Sequence, residues 1–127
     1  MTRDITLFAS LLPILCTAQI TVEVEAGGST LPGADDPYYS PADVTIHVGD
    51  AVHWTAASGS HNVYAMHDDF PDNPEEFSSG EPSSDLDFTR TFTIPGFYMY
   101  HCTQQGHSAT QHGTITVLLS ESVEEHT

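Results

Sequence analysis

Apolar and polar residues alternate along this chain in short runs that are separated by glycine and proline, and no helical period extends beyond a few residues. In residues 43–48 every second residue is Val or Ile, which predicts a strand with one face in a core and the other in solvent. Val52 and Trp54 continue the alternation in the next run. The pattern predicts strands over residues 20–25, 43–48, 51–56, 62–64, 87–94, 96–102 and 113–119.

Short strands at this spacing predict an all-β domain, a Greek-key β-sandwich of about seven to eight strands in two sheets. Residues 66–84 form the longest irregular piece and are rich in Asp, Glu, Ser, Gly and Pro. Proline forbids continuous ladder hydrogen bonds, so this piece is predicted to be an acidic surface insertion and not a second domain. Phe70 and Phe77 are expected to tuck beneath it.

Residues 1–18 have the layout of a secretory signal peptide cleaved after Ala18, with a basic residue, an apolar run and small residues before the cleavage point. The apolar run is too short to remain as a permanent membrane span. Leu15 stands where a lipoprotein signal requires a small residue, so a lipid anchor on Cys16 is the less favoured alternative and stays open. Residues 19–127 are then one exported domain, periplasmic or extracellular, with a single core.

The charge balance excludes one class of function. The chain carries 2 Lys and Arg against 18 Asp and Glu, a formal net charge of −16. Such a surface repels nucleic acid and anionic lipid, which need basic patches. Two interpretations of the acidity stay open, a docking face for a basic partner protein and general solubility or adaptation to salt.

A candidate metal site lies in residues 100–113, where Cys102 and His107 share a short loop, with His61 as a second histidine far upstream. One thiolate and two imidazoles make a soft trigonal site that suits copper. Zinc is chemically allowed by the same donors. In an exported chain whose mature part retains a single cysteine, an unoccupied thiol is a liability, which favours a ligand role.

The ordered motifs Gly-Asp-x-Val-x-Trp at 49–54, His-Asn-Val at 61–63 and Pro-Gly-x-Tyr-x-Tyr-x-Cys at 95–102, followed by His107, resemble the plastocyanin-like cupredoxins, the small blue copper proteins. The resemblance runs over about residues 39–117. It implies a cupredoxin-like sandwich with one type 1 copper ion bound by the thiolate and the two histidines named above.

The resemblance also implies roles for neighbouring residues. The commonest family pattern places an axial Met two residues before the glycine that opens the last strand, and here that position is Gln111, as in the stellacyanin variant. His112 is the rival axial ligand. By the same resemblance, Asn62 is expected to tie its loop to Thr103, and the outward-facing His101 is the candidate point at which electrons enter.

The function that this resemblance implies is single-electron transport by Cu(I)/Cu(II) cycling. The expected partner is a redox protein with a basic face, such as a cytochrome c or a copper oxidase or reductase, and the expected state is a monomer. The chain has no His-x-His pair for a multicopper cluster, so an enzyme is not expected. The alternative is a copper storage or delivery protein of the same fold. The remaining histidines are predicted to face solvent without partners: His47, His53, His67 and His126.

Overall fold

The computed structural model describes residues 18–120, and in these residues nine strands form two sheets. One sheet has the order β2-β1-β4-β7 and the other the order β3-β9-β8-β5-β6. The strands are β1 (Thr21–Gly27), β2 (Tyr38–Ser40), β3 (Asp43–His47), β4 (Ala51–Ala56), β5 (Tyr64–Ala65), β6 (Phe77–Ser78), β7 (Asp87–Thr91), β8 (Gly96–His101) and β9 (His112–Leu118). The predicted all-β sandwich is confirmed.

The predicted signal peptide, with Cys16 in it, and the C-terminal residues with His126 lie outside the described residues, apart from Ala18. Within residues 18–120, no helix has the length and apolar character needed to cross a membrane. The β1–β4 and β3–β9 pairs are parallel, and the other pairs are antiparallel.

The strand predictions differ from the structure at the shortest elements. The strands β2 and β6 were not predicted, and the strand predicted over residues 62–64 is Tyr64–Ala65 instead. The predicted strand 87–94 ends at Thr91. Strands of two or three residues contain no readable alternation, because their partners across the sheet define them.

The core lies between the two sheets and is dominated by aromatic side chains. Trp54, Tyr98, Tyr100 and Phe92 are fully buried. The Trp54 ring meets the Tyr100 ring edge-on at a centroid distance of 5.3 Å. Such edge-to-face pairs add to the free energy gained by burial, so the aromatic layer fixes the spacing of the two sheets.

The acidic insertion, residues 66–84, is anchored to the sheets by side chains. Asn73 is buried, and its amide donates to the Met99 carbonyl at 2.8 Å and accepts from the Met99 N–H at 2.9 Å. The amide therefore takes the place of a neighbouring strand beside β8. Arg90 on β7 lies 2.6 Å from Glu75 and over the ring of Phe77, which is buried as predicted.

Candidate metal centre

Two loops at one end of the sandwich bring together the predicted ligands, His61 from the loop after β4 and Cys102 and His107 from the loop after β8. One donor atom from each lies within 4.8 Å of the others. The three residues are 0%, 0% and 3% exposed, so water is excluded from the group. A two-way backbone bridge to Ser83 holds His61, with N–O distances of 3.1 and 2.9 Å. Cys102 directly follows β8.

The hydrogen bonds of His61 fix which ring nitrogen faces this group. Nε2 lies 2.6 Å from the Ser58 carbonyl oxygen, and a carbonyl only accepts, so Nε2 carries the hydrogen. In the neutral ring, the Nδ1 atom then presents a lone pair to the group. Burial lowers the pKa of His107, which also favours the neutral imidazole that binds metals.

Gln111, the residue directly before β9, completes the group. Its Oε1 atom lies 2.9 Å from His61 Nδ1 and 3.0 Å from His107 Nδ1. Its Nε2 donates to the Tyr38 carbonyl at 2.8 Å, which fixes the direction of the amide. The Gln111 oxygen and the His61 nitrogen therefore face each other with lone pairs, an arrangement that a cation between them would satisfy.

His112, the rival axial ligand, faces the other way. His112 is the first residue of β9 and is exposed on the outer face of the sheet, whereas Gln111 directly before it is buried. The structure brings Gln111 and not His112 to the donor group. The donor set of thiol sulfur, two imidazole nitrogens and one amide oxygen fits a copper ion with a weak axial ligand.

Cys102 is fully buried. Burial raises the pKa of its thiol, and backbone N–H groups of Asn62 and Gln104 oppose that effect. The Gln104 N–H lies 3.4 Å from the sulfur, and His107 Nδ1 lies 3.8 Å from it. A bound cation would favour the thiolate in the same way, since it stabilises the charged form.

The link between the two ligand loops that was expected from the resemblance is present. Asn62 Nδ2 donates to Thr103 Oγ1 at 2.9 Å, and the Thr103 N–H donates to Asn62 Oδ1 at 2.8 Å. The Asn62 carbonyl in turn accepts from the Tyr39 hydroxyl at 2.6 Å. The loop with His61 and the loop with Cys102 are therefore held as one unit.

His101 lies on the outer side of β8, as predicted, with the acidic insertion partly over it. Its Nε2 atom lies 2.9 Å from Asp69 Oδ2, and the side chain is 21% exposed. The ring of Phe70 stands edge-on to it at 4.8 Å, and the ring of Tyr64 lies 6.0 Å away. Phe70 is half-buried by this contact, in agreement with its expected position under the insertion.

The prediction that the remaining histidines have no partners is wrong for His47, His53 and His67. His53 Nδ1 lies 2.7 Å from Glu23 and its Nε2 lies 2.6 Å from Asp87. His67 Nε2 lies 2.9 Å from the Asn73 carbonyl oxygen. The His53 contacts come from β1 and β7 on either side of β4, which the spacing along the chain does not reveal.

Sequence reasoning also missed the backbone groups that orient the donors. The carbonyls of Ser58 and Tyr38 hold His61 and Gln111, and the Tyr39 hydroxyl supports the Asn62 loop. A backbone carbonyl has no residue signature, so no signal in the sequence could have identified the first two. The Tyr39 contact spans 23 positions and depends on the position of β2.

Comparisons with known proteins agree with this geometry. A family model described as copper binding proteins, plastocyanin/azurin family, matches residues 26–118. The comparison with curated proteins finds no match.

Solved structures of similar fold include pseudoazurin from Hyphomicrobium denitrificans, at 18% identity over 76% of this chain and 74% of that chain, with a TM-score of 0.60. A purple cupredoxin from Nitrosopumilus maritimus is 24% identical over 76% and 98% of the two chains, with a TM-score of 0.56. Oxidised plastocyanin from Dryopteris crassirhizoma is 24% identical over 76% and 99%, also with a TM-score of 0.56. These similarities establish the fold.

Proposed function

The chain belongs to the plastocyanin/azurin family of copper-binding proteins, and we propose that it is an exported electron carrier whose copper ion is bound by His61, Cys102 and His107, with Gln111 as the axial donor. The observation that carries the proposal is the convergence of these four buried side chains on one point. When bound, the copper ion supplies one electron at a time by cycling between Cu(I) and Cu(II).

The protein's contribution to electron transfer is a fixed geometry. His61 is held by the Ser58 carbonyl, Gln111 by the Tyr38 carbonyl, and the two ligand loops by Asn62. Donors restrained in this way keep their positions in both oxidation states, so little rearrangement accompanies the loss or gain of an electron. Burial of all four donors also keeps water from the metal.

The proposed docking face is the acidic insertion around His101. This residue is covalently bonded to the proposed ligand Cys102, and Asp69 lies against its ring. Asp68 is bound to the neighbouring Tyr64 hydroxyl at 2.9 Å and adds to the negative charge of this surface. A redox protein with a basic face, such as a cytochrome c or a copper oxidase or reductase, fits this charge, because complementary potentials speed the encounter.

The same contacts argue against the alternative of copper storage or delivery. A protein that hands over its metal needs donors that a recipient can reach. Here the four donor residues are at most 3% exposed, and the contacts that hold two of them come from the backbone. The site is therefore better suited to retaining its metal while electrons pass.

Absorption and EPR spectra of the purified copper-loaded protein test this function. We expect an intense visible band from charge transfer between the thiolate and Cu(II), with reversible bleaching on reduction. Cys102→Ser is the matched variant, because it removes the thiolate and keeps the size of the side chain. A colourless wild-type protein, or an intense band that survives in the variant, would contradict the proposal.

A further inference from the structure

Two histidines lie opposite each other on the outer face of the sheet, directly behind the proposed copper ligands. In the antiparallel register of β8 and β9, His101 pairs with His112. Their chain neighbours Cys102 and Gln111 point inward and are buried. Directly opposed residues share one face of a sheet, with Cβ atoms about 4.5–5.5 Å apart. Both imidazoles therefore start from backbone positions close enough to bind one ion.

The contact with Asp69 leaves one ring nitrogen of His101 available to bind a metal. The carboxylate lies 2.9 Å from Nε2 and accepts its hydrogen, so Nδ1 of the neutral ring is left with a lone pair. Histidines that bind a metal through one ring nitrogen commonly donate a hydrogen bond from the other nitrogen to a carboxylate. Phe70 and Tyr64 flank the ring and limit its movement.

The second histidine is free to turn. The His112 side chain is exposed, and it makes no hydrogen bond or ion pair with any other residue in 18–120. No hydrogen bond or ion pair in this part of the chain therefore holds its rotamer. The negative charge of Asp68 and Asp69 beside the pair, within a chain of net charge −16, raises the local concentration of cations.

We propose that His101 and His112 form a second metal site for a divalent cation of the zinc type, with Asp69 as a positioning residue and water in the remaining positions. Paired imidazoles select borderline ions such as Zn²⁺ over Mg²⁺ and Ca²⁺, which prefer oxygen. The site lies on the opposite face of the sheet from the buried donors and shares none of them. A cation here adds positive charge beside Cys102 and Gln111, so its binding raises the reduction potential of the copper centre.

Calorimetric titration of the copper-loaded protein with Zn²⁺ in an excess of Mg²⁺ tests the site. We expect one zinc ion per chain with no loss of the visible copper band. His112→Ala removes a ligand and should weaken zinc binding on the order of 100-fold, and Asp69→Asn should weaken it about 10- to 100-fold. Voltammetry should show that zinc raises the potential of the wild type and not that of His112→Ala.

The control is His47→Gln. His47 is also on this sheet but pairs with Leu118 on β9, not with a histidine. The zinc affinity of the His47→Gln variant, and the rise in its reduction potential on zinc binding, should equal those of the wild type. Wild-type protein that takes up no zinc, zinc uptake only as the copper band is lost, or equal zinc affinity in His112→Ala and the wild type would each overturn the proposal.

Discussion

At the scale of single residues, Gln111 is the proposed axial donor of the copper site. Its amide oxygen faces His61 and His107, and an amide oxygen is a harder donor than the thioether of Met. A harder axial donor favours Cu(II), so Gln111→Met should raise the reduction potential measured by voltammetry. The direction follows from replacing a donor that stabilises the oxidised state with one that stabilises the reduced state.

His112→Ala is the matched control in zinc-free buffer. The side chain of His112 faces solvent on the other side of the sheet, so its removal should leave the potential nearly unchanged. If His112→Ala moved the potential and Gln111→Met did not, the axial role of Gln111 would be wrong.

The residues that the structure brings together at the candidate metal centre could be identified from the sequence because their signature is local. Cys102, His107 and Gln111 occupy one loop, and His61 stands at the start of a recognisable motif. The groups that orient two of them are backbone carbonyls, that of Ser58 three residues before His61 and that of Tyr38 in β2, which any residue type can supply. The donor side chains could therefore be identified from the sequence. The groups that orient them could not, because their positions depend on the folded chain.

At the scale of elements, the Asn62 side chain joins the loop after β4 to the loop after β8. Asn62→Ala should lower the free energy of unfolding by about 1–3 kcal/mol, because the Thr103 N–H and the Gly80 carbonyl lose their partner. Denaturant titration of the metal-free protein measures this change. Thr103→Ser is the control, since it keeps both the hydroxyl and the backbone N–H. An unfolding free energy equal to that of the wild type in Asn62→Ala would mean that the loops hold without this tie.

His53 links three strands of one sheet and makes their pairing sensitive to pH. Both ring nitrogens lie against carboxylates, Glu23 on β1 and Asp87 on β7. The hydrogen bond with Asp87 is the largest cause that raises the pKa of His53, and Glu23 adds to it. The imidazolium is therefore favoured in the folded state. Its stabilisation is fully present below the ordinary pKa of about 6.5 and is lost as the pH rises through the raised value.

Unfolding midpoints in urea, measured from below pH 6 to above pH 8, check this dependence. The stability advantage of the wild type over His53→Gln should be greatest at the low end and should shrink as the pH rises. A stability difference between the two proteins that stayed constant, or that grew with pH, would show that protonation of His53 does not stabilise the fold through these ion pairs. His67→Gln is a control for a histidine outside this sheet.

Apart from residues 62–64, the predicted strands are those in which the pattern extends over five or more residues. Strands β3, β4 and β9 lie within one residue of their predicted bounds. The short strands β2 and β6 were not predicted, because each is defined by its pairing with a strand from another part of the chain, β1 and β5 respectively. Element length therefore decided which strands the pattern could reveal.

For the molecule as a whole, the fold followed from the sequence, but the distribution of its charge did not. The alternating runs predicted a sandwich, and the resemblance implied one copper ion bound by His61, Cys102 and His107. The insertion was predicted to be acidic, yet only the structure places Asp69 and Phe70 against His101. That placement defines one acidic surface beside His101, so its role in docking can be tested separately from the effect of the net charge.

Electron transfer to a basic cytochrome c should slow steeply as ionic strength rises if this surface is the docking face. The Debye length falls from roughly 30 Å at 0.01 M to about 8 Å at 0.15 M, so a local attraction is screened over this range. Neutralising exposed acids of the insertion should flatten the salt dependence of the stopped-flow rate. The variant for this test carries Asp68→Asn, Asp72→Asn and Glu76→Gln.

The control must remove the same charge from elsewhere, because any loss of negative charge weakens attraction to a basic partner. Glu23→Gln, Glu25→Gln and Asp43→Asn change net charge equally but lie at exposed positions on β1 and β3. Docking at the insertion predicts a clearly smaller salt slope for the first variant than for this control, since a short-range contact depends on where the charges lie. Equal slopes for the two variants would mean that only net charge counts, and the acidity would then serve solubility instead of recognition.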